Sequence, residues 1–257
     1  MTGQLERGAM TFDLTGKVAL VTGGTRGLGR CMVSALAAAG ADVIVTSRNA
    51  DACRDVAEQV SKESGRRALA RACHVGRWNE IGGLVDDAYA EFGHIDVLVN
   101  NAGMSPLYPS LDTVSEELFD KTIAVNLKGP FRLSALVGTR MAQGDGGSII
   151  SIASTAAIKP RPAYVPYAAA KAGLIALSEG LARTFGPSVR VNVVMAGPFA
   201  TDITAGWDWD AFNAKVREFA LGRIGQPTEI VGAVLYLASD LSSYTTGALI
   251  RVDGGEP

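Results

Sequence analysis

Short runs of β-branched and aliphatic residues alternate along this chain with longer stretches in which apolar positions recur every three or four residues. Val18 to Thr22 is the first such run and ends in glycines; Leu28 to Ala39 follows as an alanine-rich helix stopped by Gly40. Val43 to Thr46, Ala68 to Cys73, Val97 to Asn100, Ser148 to Ile152, Val189 to Val194 and Leu249 to Val252 repeat the strand pattern. Between them the helical pattern covers Asp51 to Ser64, Trp78 to Phe92, one long helix from Ser115 to Met141, Ala163 to Phe185 and Thr228 to Ala238. Continuously apolar strands separated by helices predict an α/β fold, a doubly wound parallel sheet of about seven strands with helices on both faces. No repeat, low-complexity segment or linker divides the chain, so residues 13–257 are expected to form a single domain behind a loose tail of residues 1–12.

Composition narrows the partners. With 47% hydrophobic and 19% charged residues the chain is built to fold, and 24 basic against 26 acidic side chains leave a net charge of -2. Neither nucleic acid nor an acidic membrane has an electrostatic reason to bind it. Residues 1–12 lack the apolar stretch of a signal peptide, and no run reaches the length of a membrane span. The three cysteines, Cys31, Cys53 and Cys73, match no zinc or redox spacing and read as reduced thiols, so a cytoplasmic location is expected.

The chemistry begins after the first strand, at Thr22-Gly23-Gly24-Thr25-Arg26-Gly27-Leu28-Gly29. Glycines there let the chain turn tightly and bring backbone N–H groups up to a pyrophosphate at the start of the next helix, whose dipole favours the anion. An ordinary glycine-rich turn is the plain alternative, but the position between first strand and first helix is the one dinucleotide binding requires. The second strand ends Thr46-Ser47-Arg48-Asn49, without the carboxylate that would bond a ribose 2′-hydroxyl. Arg48, helped by Arg26, can instead pair with a 2′-phosphate, which favours NADP(H) over NAD(H).

Tyr167-Ala168-Ala169-Ala170-Lys171 places a phenol and an ammonium four residues apart on one helix face. A phenol near pKa 10 is a poor catalyst at neutral pH unless a neighbouring cation favours its anion. Ser154, thirteen residues earlier and just past a strand, can bond a substrate oxygen at the carboxyl edge of the sheet, where ligands of such folds sit. Asn101-Ala102-Gly103 reaches the same rim, and Asn126 is a polar residue inside the apolar run Ile123 to Leu127. Asn126 reads either as a satisfied structural amide or as an amide that holds a water.

Together these motifs resemble the short-chain dehydrogenase/reductase family over residues 12–255, down to the closing Gly222-Arg223-x-Gly225-x-Pro227 and Asp253-Gly254-Gly255. The resemblance implies a Rossmann-type fold and hydride transfer between a nicotinamide cofactor and a carbonyl or secondary alcohol. Tyr167 would be the acid/base and Ser154 would polarise the carbonyl. Lys171 would bind the nicotinamide ribose and lower the tyrosine pKa, and Asn126 would anchor a relay water. Tyr164 is a rival donor, but four residues on it meets Ala168 rather than a lysine. Gly23, Thr25, Arg26, Gly27, Leu28, Gly29, Ser47, Arg48, His74, Val75, Asn101, Ala102 and Gly103 would bind the cofactor. Thr201 with backbone around Gly197 and Phe199 would hold the carboxamide. Two positions depart from the family: Cys73-His74-Val75 replaces an acid that bonds the adenine, and Met195-Ala196-Gly197 lacks a usual proline.

A hydrolase would need a Gly-x-Ser-x-Gly elbow, and a metal enzyme a clustered ligand set; neither is present. A 3-oxoacyl-carrier-protein reductase is similar around Tyr167, but the loops at 143–147 and 186–188 offer no basic residue to an acidic carrier. A non-catalytic dinucleotide-binding regulator is the alternative from another class, and it would need neither the serine nor the phenol. The expected partner is a small alcohol or carbonyl compound. Trp207, Trp209, Phe212 and Phe219, in a segment resembling a substrate lid at 201–221, would suit a hydrophobic one, or else pack against the body of the protein or a neighbouring subunit. The resemblance further implies a homotetramer, with the small residues Ala168, Ala172 and Ala176 permitting close helix packing.

Overall fold

The computed structural model describes residues 12–201 and 216–257. Seven strands, β1 (Val18–Thr22), β2 (Asp42–Ser47), β3 (Ala68–Ala72), β4 (Val97–Asn100), β5 (Gly147–Ser154), β6 (Val189–Ala196) and β7 (Leu249–Val252), form one sheet. Its order is β3-β2-β1-β4-β5-β6-β7 and every pairing is parallel. Helices α1 (Gly27–Ala38), α2 (Ala50–Ser64) and α7 (Val231–Ala238) cover one face. Helices α3 (Trp78–Phe92), α5 (Gly129–Gln143) and α6 (Val165–Phe185) cover the other, with α4 (Glu116–Ile123) leading into α5.

Side-chain alternation explains the two layers. Ile44, Leu20, Leu98, Ile149 and Val191 stand in one register row across five strands, all fully buried, and pack toward α3 and α5. Val21, Val43, Val45, Val97, Val99 and Ile150 point the other way, onto Met32, Val33 and Leu36 of α1 and Val56 of α2. Burying each such side chain stabilises the fold by roughly 1.5–3 kcal/mol. Sheet order reverses between β1 and β4, so the crevice beyond their carboxyl ends is the place for a ligand.

Two departures from the sequence expectation bear on the site. Residues 115–141 do not form one continuous helix. Ser115 caps α4 through a bond from the Leu118 N–H, and a π turn at Ala124–Lys128 separates α4 from α5. The turn reaims Asn126 onto the chain at Met104, and at Gly129 the backbone comes so close to Val75 that a Cβ would lie 2.3 Å from its carbonyl oxygen. Strand β5 also runs on to Ser154, which therefore ends the strand, in register with Ala196. No helix among the described residues is long and apolar enough to cross a membrane.

Candidate active site

A cavity of about 1600 Å³ opens along the carboxyl edge, over the β1/β4 reversal. Gly23 and Gly27 both have positive φ, 65° and 52°, which the tight turn ahead of α1 requires. Gly29 is fitted more closely still: a Cβ there would stand 2.1 Å from the Gly23 carbonyl oxygen. Arg26 precedes the helix in extended conformation, and neither a side-chain cap nor a first-turn acid occupies the leading N–H groups of α1. A helix start so exposed to the cavity suits a pyrophosphate.

Thr22 holds this turn to the neighbouring strand, a role the sequence reading did not give it. Its hydroxyl accepts from the Asn101 N–H at 2.9 Å and the Ala102 N–H at 3.0 Å, and donates to the Val99 carbonyl. The Asn101 amide donates in return to the Thr22 carbonyl at 2.8 Å. A small polar residue directly before a glycine turn is the sequence signal that could have shown it.

At the end of β2, Ser47, Arg48 and Asn49 line the same cavity. Arg26 and Arg48 are exposed and form no ion pair among the described residues. Among the described residues that line the cavity the one acid is Glu256. His74 and Val75 form the next stretch of wall. The Gly76 N–H donates to His74 Nδ1 at 3.1 Å, so the neutral ring carries its proton on Nε2 and offers a donor. This resolves a tautomer that sequence could not.

Ser154, Tyr167 and Lys171 meet in the middle of the cavity, with Gly103 beside them. Ser154 Oγ accepts from the Ala156 N–H at 3.2 Å and is close enough to favour the anion of the Tyr167 hydroxyl. Lys171, only 4% exposed, donates through Nζ to the Ile152 carbonyl at 2.7 Å and lies 5.8 Å from the Tyr167 ring centre. The electrostatics differ from the expectation drawn from the family. Burial pushes the Tyr167 phenol up, Ser154 pulls it down, and Tyr164 raises it again. Burial likewise takes Lys171 down, to about 8. Both groups pay for leaving water, and desolvation is the largest influence on each. Tyr167 nevertheless keeps part of its surface open to the cavity.

Asn126 is the one expected site residue that does not line the cavity. Its amide nitrogen donates to the Met104 and Thr122 carbonyls, both at 2.9 Å, and Oδ1 accepts from the Met104 N–H at 3.2 Å. These are the bonds of a structural amide, and they leave the second Oδ1 lone pair unused. Gly197, Phe199 and Thr201 close the opposite wall; a Cβ on Gly225 would strike the Phe199 ring at 2.6 Å, which accounts for the glycine in the closing motif. Of the lid aromatics, Phe219 is buried, while Trp207, Trp209 and Phe212 lie outside the described residues, as does the tail through residue 11. Ala168 is buried within the protein, whereas Ala172 and Ala176, further along the same side of α6, are exposed. His94 sits apart, with Asp96 at 3.2 Å, and no cluster among the described residues could hold a metal ion. All three cysteines are free.

Comparison with known proteins agrees with this geometry. The family described as enoyl-(acyl carrier protein) reductase matches residues 23–256. D-threitol dehydrogenase of Mycolicibacterium smegmatis is 37% identical over 246 residues, 95% of this chain and 94% of that protein. The crystal structure of a putative short-chain alcohol dehydrogenase from Sinorhizobium meliloti superposes with a TM-score of 0.91 at 37% identity, covering 95% of this chain and 98% of the other. NADPH-dependent 3-quinuclidinone reductase from Rhodotorula rubra gives 0.91 at 29% identity, covering 100% and 97%. Agreement over so much of the chain, in sequence and in fold, makes this protein a member of the short-chain dehydrogenase/reductase family, an oxidoreductase acting on alcohol or carbonyl groups.

Proposed function

We propose that this enzyme uses NADP(H) in preference to NAD(H), and that Tyr167 exchanges the proton with the oxygen of a small alcohol or carbonyl substrate. The observation that carries this reading is the meeting, in one cavity, of an uncapped helix start and the Ser154–Tyr167–Lys171 cluster. The residues present fit a dinucleotide: the glycine cradle admits no Cβ at Gly29, and cations without acids line the adenosine end.

In this reading the backbone of Gly23, Thr25, Gly27, Leu28 and Gly29 holds the pyrophosphate, and Arg26, Ser47 and Arg48 hold the 2′-phosphate. His74 offers its Nε2–H to a ring nitrogen of the adenine, which has acceptors there, in place of the acid that would bond its amino group. Val75 and Asn101 to Gly103 flank the adenosine side, and Gly197, Phe199 and Thr201 hold the carboxamide. A nicotinamide held by these residues would supply or accept the hydride. Ser154 polarises the substrate oxygen. Tyr167 protonates that oxygen in reduction and takes the hydroxyl proton in oxidation. Lys171 is charged at neutral pH and, fixed by the Ile152 carbonyl, favours the phenolate from within 6 Å of the ring. Asn126, its N–H groups committed, fixes the strap after Gly103, and a relay water is left to its remaining Oδ1 lone pair or its main chain.

Tyr167→Phe tests the assignment. Turnover over a panel of alcohols and ketones, followed by nicotinamide absorbance, should fall by about 10²–10⁴ with cofactor affinity retained. Cofactor binding by the wild type without turnover of any substrate would return the regulator reading. A homo-oligomer is part of the proposal, supported by the exposed Trp78, Phe119 and Phe131 on the α3–α5 side. Size-exclusion chromatography giving a monomer would remove it.

A further inference from the structure

One stretch of the cavity wall near Tyr167 is given no role in the cofactor reading above. Arg161, Tyr164 and Glu256 line it. Arg161 leads into the short turn Pro162–Tyr164 ahead of α6, and Glu256 arrives from the chain after β7. Glu256 is 8% exposed. Its Oε1 accepts from Arg161 at 3.0 Å, but its Oε2 is buried without a hydrogen-bond partner among the described residues. Buried carboxylate oxygens are rarely left so, because the lost hydration has to be replaced. The Tyr164 hydroxyl likewise has no hydrogen-bond partner among the described residues. Glu256 adds to the burial that raises the Tyr164 pKa, and Arg161 opposes it, so the three groups act on one another. The Tyr164 ring stands edge-on to Tyr167, 6.3 Å between centres at 87°, so this wall begins one ring away from the reacting phenol.

The charges around Glu256 narrow what fits. Lys159 donates to its main-chain carbonyl at 2.7 Å, and Arg251, paired with Asp253, reaches the same oxygen at 3.3 Å. An ammonium would enter among three cations, and a carboxylate would face Oε2. A purely apolar group would leave Oε2 unmet. A hydroxyl suits this wall: it can donate to the Glu256 carboxylate and accept from Tyr164 or from a guanidinium N–H of Arg161.

We propose that Arg161, Tyr164 and Glu256 form a subsite for a second hydroxyl, and that the substrate is a diol or polyol, or the matching hydroxyketone. The inference rests on the hydride-transfer reading above. In oxidation the carbinol carbon gives its hydride to the oxidised nicotinamide and its hydroxyl proton to the Tyr167 phenolate. The carbonyl forms, and the second hydroxyl stays unchanged on Glu256.

The test compares kcat/KM for vicinal diols and polyols with that for mono-alcohols of the same carbon skeleton, in wild type, Glu256→Gln and Tyr164→Phe. Wild type should favour the hydroxylated member at least about tenfold. Glu256→Gln should cut that ratio by about 10–100-fold, since a donor replaces the acceptor, and Tyr164→Phe by roughly 3–10-fold. Tyr164→Phe removes a single hydroxyl and keeps the test open should the Glu256 variant fail to fold. A ratio unmoved in both variants, or a wild-type preference for mono-alcohols or for carboxylate-bearing alcohols, overturns the subsite while hydride transfer stands. Turnover of nothing in the panel, with either cofactor, overturns both.

Discussion

Replacing Lys171 by methionine removes an ammonium that the fold encloses almost completely. Lys171 is 4% exposed, and burial takes its pKa from 10.5 to about 8. The folded value thus lies below the unfolded one, which is the reverse of a lysine that gains a strong partner. Between pH 8 and 10.5 the unfolded chain holds this proton and the folded protein does not, so stability rises with pH across that window. Below pH 8 the folded state carries the full difference, about 3 kcal/mol at about 1.36 kcal/mol per unit. Integrating the linkage relation, about 2 kcal/mol of it is relieved between roughly pH 7 and pH 9.5. Urea unfolding of wild type and Lys171→Met at equal protein concentration, over that pH range, measures it. Wild-type stability should gain about 2 kcal/mol on the variant. The lost Nζ bond to Ile152 and the packing of the methionine shift both ends of the comparison equally, so they cancel in the slope. Parallel curves would refute the reasoning, because the ammonium would then be as well solvated in the fold as outside it. Turnover in the same variant should fall roughly 100-fold or more if the buried charge serves the phenolate.

Two further substitutions probe the cofactor end. Arg48→Ala should lower kcat/KM with NADP(H) by about 10–100-fold and leave NAD(H) within about threefold, since only a 2′-phosphate would meet this guanidinium; equal losses with both cofactors would remove the preference. Gly29→Ala drives a Cβ against the Gly23 carbonyl. A loss of about 1–3 kcal/mol in thermal unfolding together with weakened cofactor binding is expected, and wild-type affinity in a fluorescence titration would show that the turn is not a tight cradle.

Much of the fold was readable in order along the chain. Strands β1, β4 and β7 and helix α3 begin and end where the apolar pattern places them. A parallel sheet covered on both faces needs strands apolar throughout, and that demand is written locally. The glycine turn, Ser154 and the Tyr167–Lys171 spacing were readable for the same reason: each is a short motif within one turn or strand end. The break at Asn126 was not. Residues 115–141 carry an unbroken helical pattern, and the π turn arises from contacts with Met104 and Val75, far away in sequence. Nor was the end of β5, because the last pair, Ser154 with Ala196, depends on the neighbouring strand.

By itself the sequence determined the alternation of strands and helices, the cradle before α1, the absence of an acid after β2, and the residue types of the candidate catalytic cluster. These are properties of neighbours along the chain, set by side-chain size, charge and periodicity. Tertiary structure decided the strand order, the tautomer of His74, the tie from Thr22 to Asn101, and the unpartnered oxygen of Glu256 beside Arg161. It also decided the direction in which Tyr167 and Lys171 are shifted. Spacing brings a cation near a phenol, but the energy of each charged form depends on how much water remains around it, and that is set by depth in the folded protein.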